Sequence, residues 1–598
     1  MKLANKKSIS IILSSCFLLT LFSCSQNNTP PVDEPDEPII DEKEEITFKF
    51  NYDENAISLT YDDTKTYTEG DNFQFKIELN DEYYLTSVVA NDEELTKKGS
   101  SSYIFSVKSG ENVIFINTEK YENYTISKYV RPENDSYYTM WKNRGYPHFN
   151  SIGDQKLLVI PVTIKDKSEA ATEENRSKLE KAFFGASNEL DYESLSSFYY
   201  KSSYGKLNIS GKVTPWFNLN LTSKEISTIS ADFGTYNVLE KAVNWVKETQ
   251  NDIDLKDYDN DKDGFIDGIY LVYSALPFTK DSTLSSDTFW NFTFYNINNK
   301  DKANVDSPVA MTYSWSSIDM INYGAIEGSI DAHTYIHEFG HQLGLSDYYD
   351  TQFSSGGTPY TSPMGGMDMM DFNLGDHSPF SKFALNWVEP KVISGVTGTV
   401  SFELNSFQET GDFAILTPKN YTSSAFDEYF VIEYLTVGND KSNLNYFDSK
   451  NGYKVTMYPD GRIIKSYSGD GIRITHVDAR SLDAYNNFST DSSKYVRTKF
   501  SNTASTQNGY YCKENNNSFV LTTLISANQS RNTMGTYFVA NSSDLFKSNS
   551  SINFFAGKEN SRASMIPYEK NVFNSGLLFN YTIKIDSISG GKAKITIS

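Results

Sequence analysis

Residues 331–350 read DAHTYIHEFGHQLGLSDYYD and hold three of the chain's six histidines, His333, His337 and His341. This spacing constrains the local fold more than any other feature of the chain. Residues four apart lie on one face of a helix, one turn above each other, so His337 and His341 aim two imidazoles at one point. Glu338 projects about 100° further round, beside that point rather than on it. Two imidazoles with an adjacent carboxylate suit a zinc ion and a base that takes a proton from its bound water.

The spacing also limits the other ligands. His333 and His341 are eight residues apart, about 12 Å along a helix axis. Zinc–nitrogen bonds are about 2.0–2.1 Å, so three stacked imidazoles cannot surround one ion. His333 is therefore a cleft, supporting or packed residue. The third ligand must come from beyond the helix. Gly344 can adopt the left-handed conformation that ends a helix and turns the chain back, and Asp347 follows three residues later. Asp350 is three residues further on, about 10 Å away if the chain is extended, so Asp347 is the expected ligand.

A second cluster is purely acidic. Residues 257–267, DYDNDKDGFID, place five aspartates in eleven positions. The alternation around a glycine resembles the start of an EF-hand loop. Asp259, Asp261 and Asp263 take the first ligand places, Gly264 the sharp turn and the Phe265 carbonyl the next. Position twelve is Tyr270 rather than glutamate, so the loop is not a full EF-hand, and Asp267 could supply the missing carboxylate. The readings are a structural calcium site or a solvated acidic turn.

With 598 residues, the chain is too long for one core, and several domains are expected. Residues 1–24 resemble a lipoprotein-type signal peptide. Lys2, Lys6 and Lys7 precede an apolar run from about Ile9 to Phe22, with Cys24 as the lipidated residue; an ordinary secretion signal cut elsewhere is the alternative. Residues 25–45 are an acidic, Pro-rich tether. Residues 46–120 read as an immunoglobulin-like β module, in which Phe73, Phe75, Ile77 and Leu79 alternate with polar residues and Val113–Ile116 forms a strand. Residues 121–395 interleave strands (157–160, 269–273) with helices (235–249 and the motif helix), an α/β pattern for the catalytic domain. Residues 396–598 return to strands and close with YTIKIDSISGGKAKITIS around Gly590-Gly591, so a C-terminal β-sandwich is expected. The fold class is thus multidomain.

Net charge is −23, which argues against a nucleic-acid partner. Of three cysteines, Cys16 and Cys24 fall in the signal region, leaving Cys512 without an intramolecular partner if Cys24 is lipidated. Bracing outside the cell would then fall to metal ions rather than disulfides.

The stretch HEFGHQLGLSDYYD resembles the zinc helix of the immune inhibitor A family of bacterial metalloendopeptidases, in the metzincin clan. SSFYYKSSYGKLNISGKVTPWF (196–217), PMGGMDMMDFNLGDHSPFSKFALNWV (363–388), EYFVIEY (428–434) and GIRITHVD (471–478) are similar to other blocks of that family, and the likeness runs from about 140 to 480. The resemblance implies one catalytic zinc on His337, His341 and Asp347, with Glu338 as general base. It also implies an apolar floor from a methionine in Gly366-Met367-Asp368-Met369-Met370, for which Met369 is preferred. Many metzincins carry a tyrosine two residues later to hold the tetrahedral intermediate. Asp371 stands there, so that role is unassigned. His377 and His476 either orient structure or substrate, or simply pack.

The expected protein is a lipid-anchored or secreted zinc endopeptidase, monomeric, acting on extracellular proteins or peptides, with calcium as a structural ion. One rival is a surface adhesin or binding lipoprotein with a vestigial metal site. Another is a zinc hydrolase of a different class.

Overall fold

The computed structural model describes the chain except for residues 1–44, 81–82, 97–101, 121, 144, 147, 230–234, 285–287, 325, 350–361, 455–461, 481–509, 513–516, 520, 529–530, 532–537, 554–572 and 574–580. The signal region, the tether, Cys24 and Asp350 lie outside the described residues. Among those described, no helix is long and apolar enough to cross a membrane. The chain divides into two compact units, one ending at Lys120 and one starting at Tyr121.

The first unit holds two small sheets. One runs Thr47–Asn51, Glu111–Lys120, Tyr83–Ala90, Glu93–Glu94, and the other Ile57–Tyr61, Asn72–Leu79, Ser102–Ser106. Alternation buries Phe73, Phe75 and Ile77 from one sheet against Ile114 and Ile116 from the other, as period-two side-chain placement requires. Leu79, expected on that face, is 41% exposed at the strand end.

The second unit is built on a mixed sheet. Leu207–Val213, Gly153–Thr163, Ile269–Tyr273 and Thr312–Ser317 run parallel in that order, and Phe292–Tyr295 closes the edge antiparallel. Ile269–Tyr273 is buried along its whole length, as a strand covered on both faces must be. Its alternate residues serve two cores. Leu158, Ile160 and Leu271 meet the helix Thr235–Thr249 through Val238, Leu239, Ala242, Val243 and Val246. Leu157, Val159, Tyr270 and Val272 share the opposite core with Tyr335, Ile336 and Phe339 of the motif helix, His333–Gln342.

A second sheet orders Thr522–Ile525, Gly471–Asp478, Glu428–Leu435, Phe413–Leu416, Lys391–Ser394 and Thr125–Lys128. One face packs on a third sheet that contains Val400–Asn405, Thr582–Ser589 and Lys592–Ile597. The closing hairpin turns at Gly590 and Gly591, with φ of 60° and 75°, the left-handed pair that a two-residue turn needs. The other face, through Tyr429, Val431 and Val477, joins the core under the motif helix. That core therefore runs across residue 395 without a break.

Candidate functional site: a metal centre on the motif helix

The motif helix ends because Gly344 stands at φ 97°. A Cβ there would lie 2.6 Å from Trp141 Cδ1, and the Trp141 indole donates to the Gly344 carbonyl at 3.2 Å. The turn carries Asp347 back over the helix. His337, His341 and Asp347 each offer a ligand atom within 4.8 Å of the others.

Both imidazoles are held in one tautomer. His337 Nδ1 donates to the Met369 carbonyl and His341 Nδ1 to the Leu345 carbonyl, each at 2.8 Å. A carbonyl only accepts, so both Nε2 lone pairs are left for the centre, an orientation typical of metal-ligating histidine. The Asp347 Oδ1 atom lies 3.0 Å from His337 Nε2 and 3.4 Å from His341 Nε2. Two bonds of about 2.0 Å at a tetrahedral angle separate their ligand atoms by about 3.3 Å, so the donor set fits a zinc ion in chemistry and in spacing. Burial opposes a charge on His341, but the Asp347 carboxylate overrides it and pushes that imidazole up to about 9. Burial likewise works against ionised Asp347, and the paired histidines hold it well below the usual carboxylate range. Loading the ion would therefore release protons.

Glu338 is buried beside this cluster, and among the described residues its Oε2 meets no hydrogen-bond partner. Burial raises its pKa, against the charges of His341 and His337. Its carbonyl accepts from Thr293 Oγ1 at 2.7 Å, so the strand Phe292–Tyr295 fixes the helix at this residue. Glu338 and His337 line an open cleft with Trp290, Met320, Tyr323, Tyr349, Phe372, Tyr453 and Lys454 among others. Besides His337 and Glu338, Thr334 and Tyr349 belong to the motif segment. The rest come from separate stretches, and no local pattern marks them.

Two methionines support the centre differently. Met369 acts through its carbonyl on His337. Met370 packs its thioether on the motif helix, with Sδ 2.4 Å from where a Gly340 Cβ would stand. Asp371 accepts from the Ser362 hydroxyl and from Gly366 N at 2.8 Å, so its carboxylate braces the 362–366 turn. Tyr349 hydrogen-bonds Asp347. His377 is buried among Phe198, Tyr199 and Trp387, and His476 Nε2 meets Glu428 at 3.0 Å. Neither belongs to the ligand cluster nor lines the cleft.

The acidic loop brings Asp259, Asp261, Asp263 and Asp267 to within 4.8 Å of one another. Its amides hold the carboxylates. Asp263 N and Gly264 N donate to Asp259, each at 3.0 Å, and Asn260 N donates to Asp267 at 2.6 Å. Phe265 N donates to Asp263, and Phe265 enters a short strand paired with Val309. Burial, then the Asp261 charge, pushes Asp263 up to about 6. Burial pushes Asp267 up to about 8. Lys142 Nζ meets Asp261 and lies 3.9 Å from Asp263. Asp257 stands apart, paired with Lys156 at 2.7 Å.

Two imidazoles and a carboxylate at the end of one helix, with a buried glutamate beside them in a cleft, define a metalloprotease-type centre. The comparisons agree. Residues 162–370 match the family described as Immune inhibitor A peptidase M6, catalytic domain, so the segment that carries the site is similar to that catalytic domain. The match is shorter than the 140–480 likeness read from the sequence. The pre-pro-metalloprotease PrtV of Vibrio cholerae serotype O1, from strains M66-2 and ATCC 39315 / El Tor Inaba N16961, is 24% identical over 207 residues. That alignment covers 30% of this chain and 21% of the relative, so the chain matches about a fifth of the length of these curated relatives.

Proposed function

We propose that the protein is a zinc-dependent endopeptidase that cleaves extracellular proteins or peptides. The observation that carries this reading is the buried Glu338 Oε2, unpartnered among the described residues, beside the His337–His341–Asp347 cluster. His337, His341 and Asp347 would hold the ion. Zinc bound there would supply Lewis acidity and bring the pKa of a coordinated water to about 7. Glu338 Oε2 takes the proton of the attacking water and then delivers it to the leaving amine nitrogen. Burial favours that proton shuttle, because it raises the basicity of the carboxylate. The aromatic cleft walls orient the peptide and keep other water out.

We extend the proposal to the rest of the chain. The four-aspartate loop binds calcium and braces the domain, with Phe265 as a further ligand. Met369 and Met370 together form the floor of the centre. Cys24 carries a lipid that holds the exported protein at the bacterial surface, and residues 46–120 are an immunoglobulin-like spacer.

Hydrolysis of an unstructured protein substrate tests the central reading. Cleavage should stop with a zinc chelator and return with added zinc. A purified chain that holds zinc yet cleaves nothing would favour the vestigial-site adhesin instead.

A further inference from the structure

His333 is the motif histidine that the metal centre leaves unused. It is fully buried, and both ring nitrogens face carboxylates. Nδ1 lies 2.9 Å from Asp331 Oδ2, and Nε2 lies 3.2 Å from Asp448 Oδ1. A carboxylate facing each ring nitrogen suits a ring that donates from both, the imidazolium form. Tyr192 stacks on it at 4.0 Å and 11°, and Tyr453 packs at 4.9 Å. Aromatic faces of this kind favour a cation. Burial alone would discharge the ring, but the Asp331 and Asp448 charges override it and raise His333 to about 10.

Of the partners of this ring, Tyr453 lines the cleft, and Asp448 lies on the segment that precedes it. Asp448 sits on the helix Leu444–Lys450, and its other oxygen accepts from Gly375 N at 2.6 Å. Asn445, on the same helix, accepts from Asp376 N at 3.1 Å. Tyr453 shares a hydrogen bond with Thr334 at 2.7 Å, next to His333 on the motif helix. Thr334, Asn373, Tyr453 and Lys454 all line the cleft with Glu338. One buried cation thus ties the start of the metal helix, the turn after Phe372 and the 444–454 segment together.

We propose that His333 is a positioning residue for substrate: by bridging Asp331 and Asp448 it clamps the Tyr453–Lys454 wall of the cleft against the motif helix, one turn from the metal ligands. The proposal rests on the peptidase reading above. Its energetic basis is that removing one partner of a buried ion pair leaves an uncompensated charge, which loosens the segments that the pair joined. Ligand geometry at His337 and His341 is set independently by Met369 and Leu345 carbonyls, so loss of the clamp should spare the ion.

The test compares the parent with His333→Gln and with Asp448→Asn, the latter keeping the shape of the side chain should the first variant not fold. Each should raise KM about tenfold while kcat stays within about twofold and zinc content is unchanged, the signature of lost binding that is uniform along the reaction. Each should also increase nicking by added chymotrypsin within 444–454. The double variant should be no worse than the worse single one, because the two residues act as a unit. In a Glu338→Gln background, a peptide substrate should bind more weakly when His333→Gln is added. Loss of zinc, or a fall in kcat with KM unchanged, would overturn the proposal by placing His333 in the metal centre. Unchanged KM and nicking would overturn it by leaving His333 a packed residue. A parent that hydrolyses nothing would sink the peptidase reading, while the nicking arm still decides whether the clamp exists.

Discussion

The two clusters suited to cations are built on opposite plans. The His337–His341–Asp347 centre rests on a rigid helix, and backbone carbonyls orient its two imidazoles. Three ligand atoms and a free carboxylate beside them leave room for chemistry. The 259–267 loop offers four carboxylates held by its own amides. Its charges repel, and burial keeps Asp267 near 8, so the loop gains from any cation that neutralises it. Lys142 already does part of this. Mixed imidazole and carboxylate donors on a helix suit a borderline ion that does work, whereas crowded oxygens on a loop suit a hard ion that braces.

The comparison can be broken by exchanging the losses. Asp347→Ala should lose zinc and lower activity by about 10²-fold or more, because an open three-ligand site is reduced to two. Asp261→Ala should keep both zinc and most activity. Metal analysis and hydrolysis on the same preparations check this; zinc loss from the Asp261 variant would erase the distinction.

How much of this was legible in the sequence differs between the two clusters and their surroundings. Both clusters were visible because each lies within about a dozen residues and depends on local geometry, the helical repeat in one and a glycine turn in the other. The strands around 157–160 and 269–273 and the 235–249 helix were visible for the same reason, whereas the parallel pairing of the two strands was not. The cleft was not. Trp290, Met320, Tyr323, Tyr453 and Lys454 meet Glu338 only through tertiary packing. The partner of His333, Asp448, is 115 residues away. Nor does sequence show that Thr125–Lys128 pairs with Lys391–Ser394, or that the core runs across residue 395. Met369, the expected floor, meets His337 through its carbonyl, and the neighbouring Met370 packs its thioether on Gly340; two adjacent methionines are not separable by pattern alone.

A second way to sharpen the contrast is to disturb the turn that makes the helix centre. Gly344→Ala puts a side chain at φ 97° and into Trp141, at a cost of about 1–3 kcal/mol for the strain alone. The thermal midpoint should fall by several degrees and zinc affinity should drop. An equally stable, fully loaded variant would show that the turn does not hold Asp347. The loop, in contrast, should respond to calcium. Chelating calcium should lower the midpoint of the parent by a few degrees and expose 255–268 to proteases. The Asp261→Ala protein should show neither response, and a parent indifferent to calcium would reduce the loop to an acidic turn.

The smallest expected effect concerns pH. His148 stacks on Trp141 at 5.1 Å, under the Gly344 turn. Its Nδ1 donates to the Tyr146 carbonyl, and its Nε2 accepts from the Tyr295 hydroxyl at 2.9 Å. Burial lowers it from the ordinary 6.5 to about 4. The unfolded chain therefore binds the extra proton between about pH 6.5 and 4, and the folded state loses stability as pH falls through that window. His148→Gln removes the titration, so the midpoint of the variant should fall less steeply across that range than the parent's. Parallel curves would show that His148 does not contribute to the acid response of the turn.

The central claim is that Glu338 is the base and is not a ligand. Glu338→Gln, assayed for zinc and for hydrolysis on one preparation, tests it most directly. About one zinc per chain, as in the parent, with hydrolysis reduced by about 10²–10⁴-fold, is the result expected from loss of a general base. Activity within about tenfold of the parent, a loss well below that range, or loss of the zinc itself, would contradict the account.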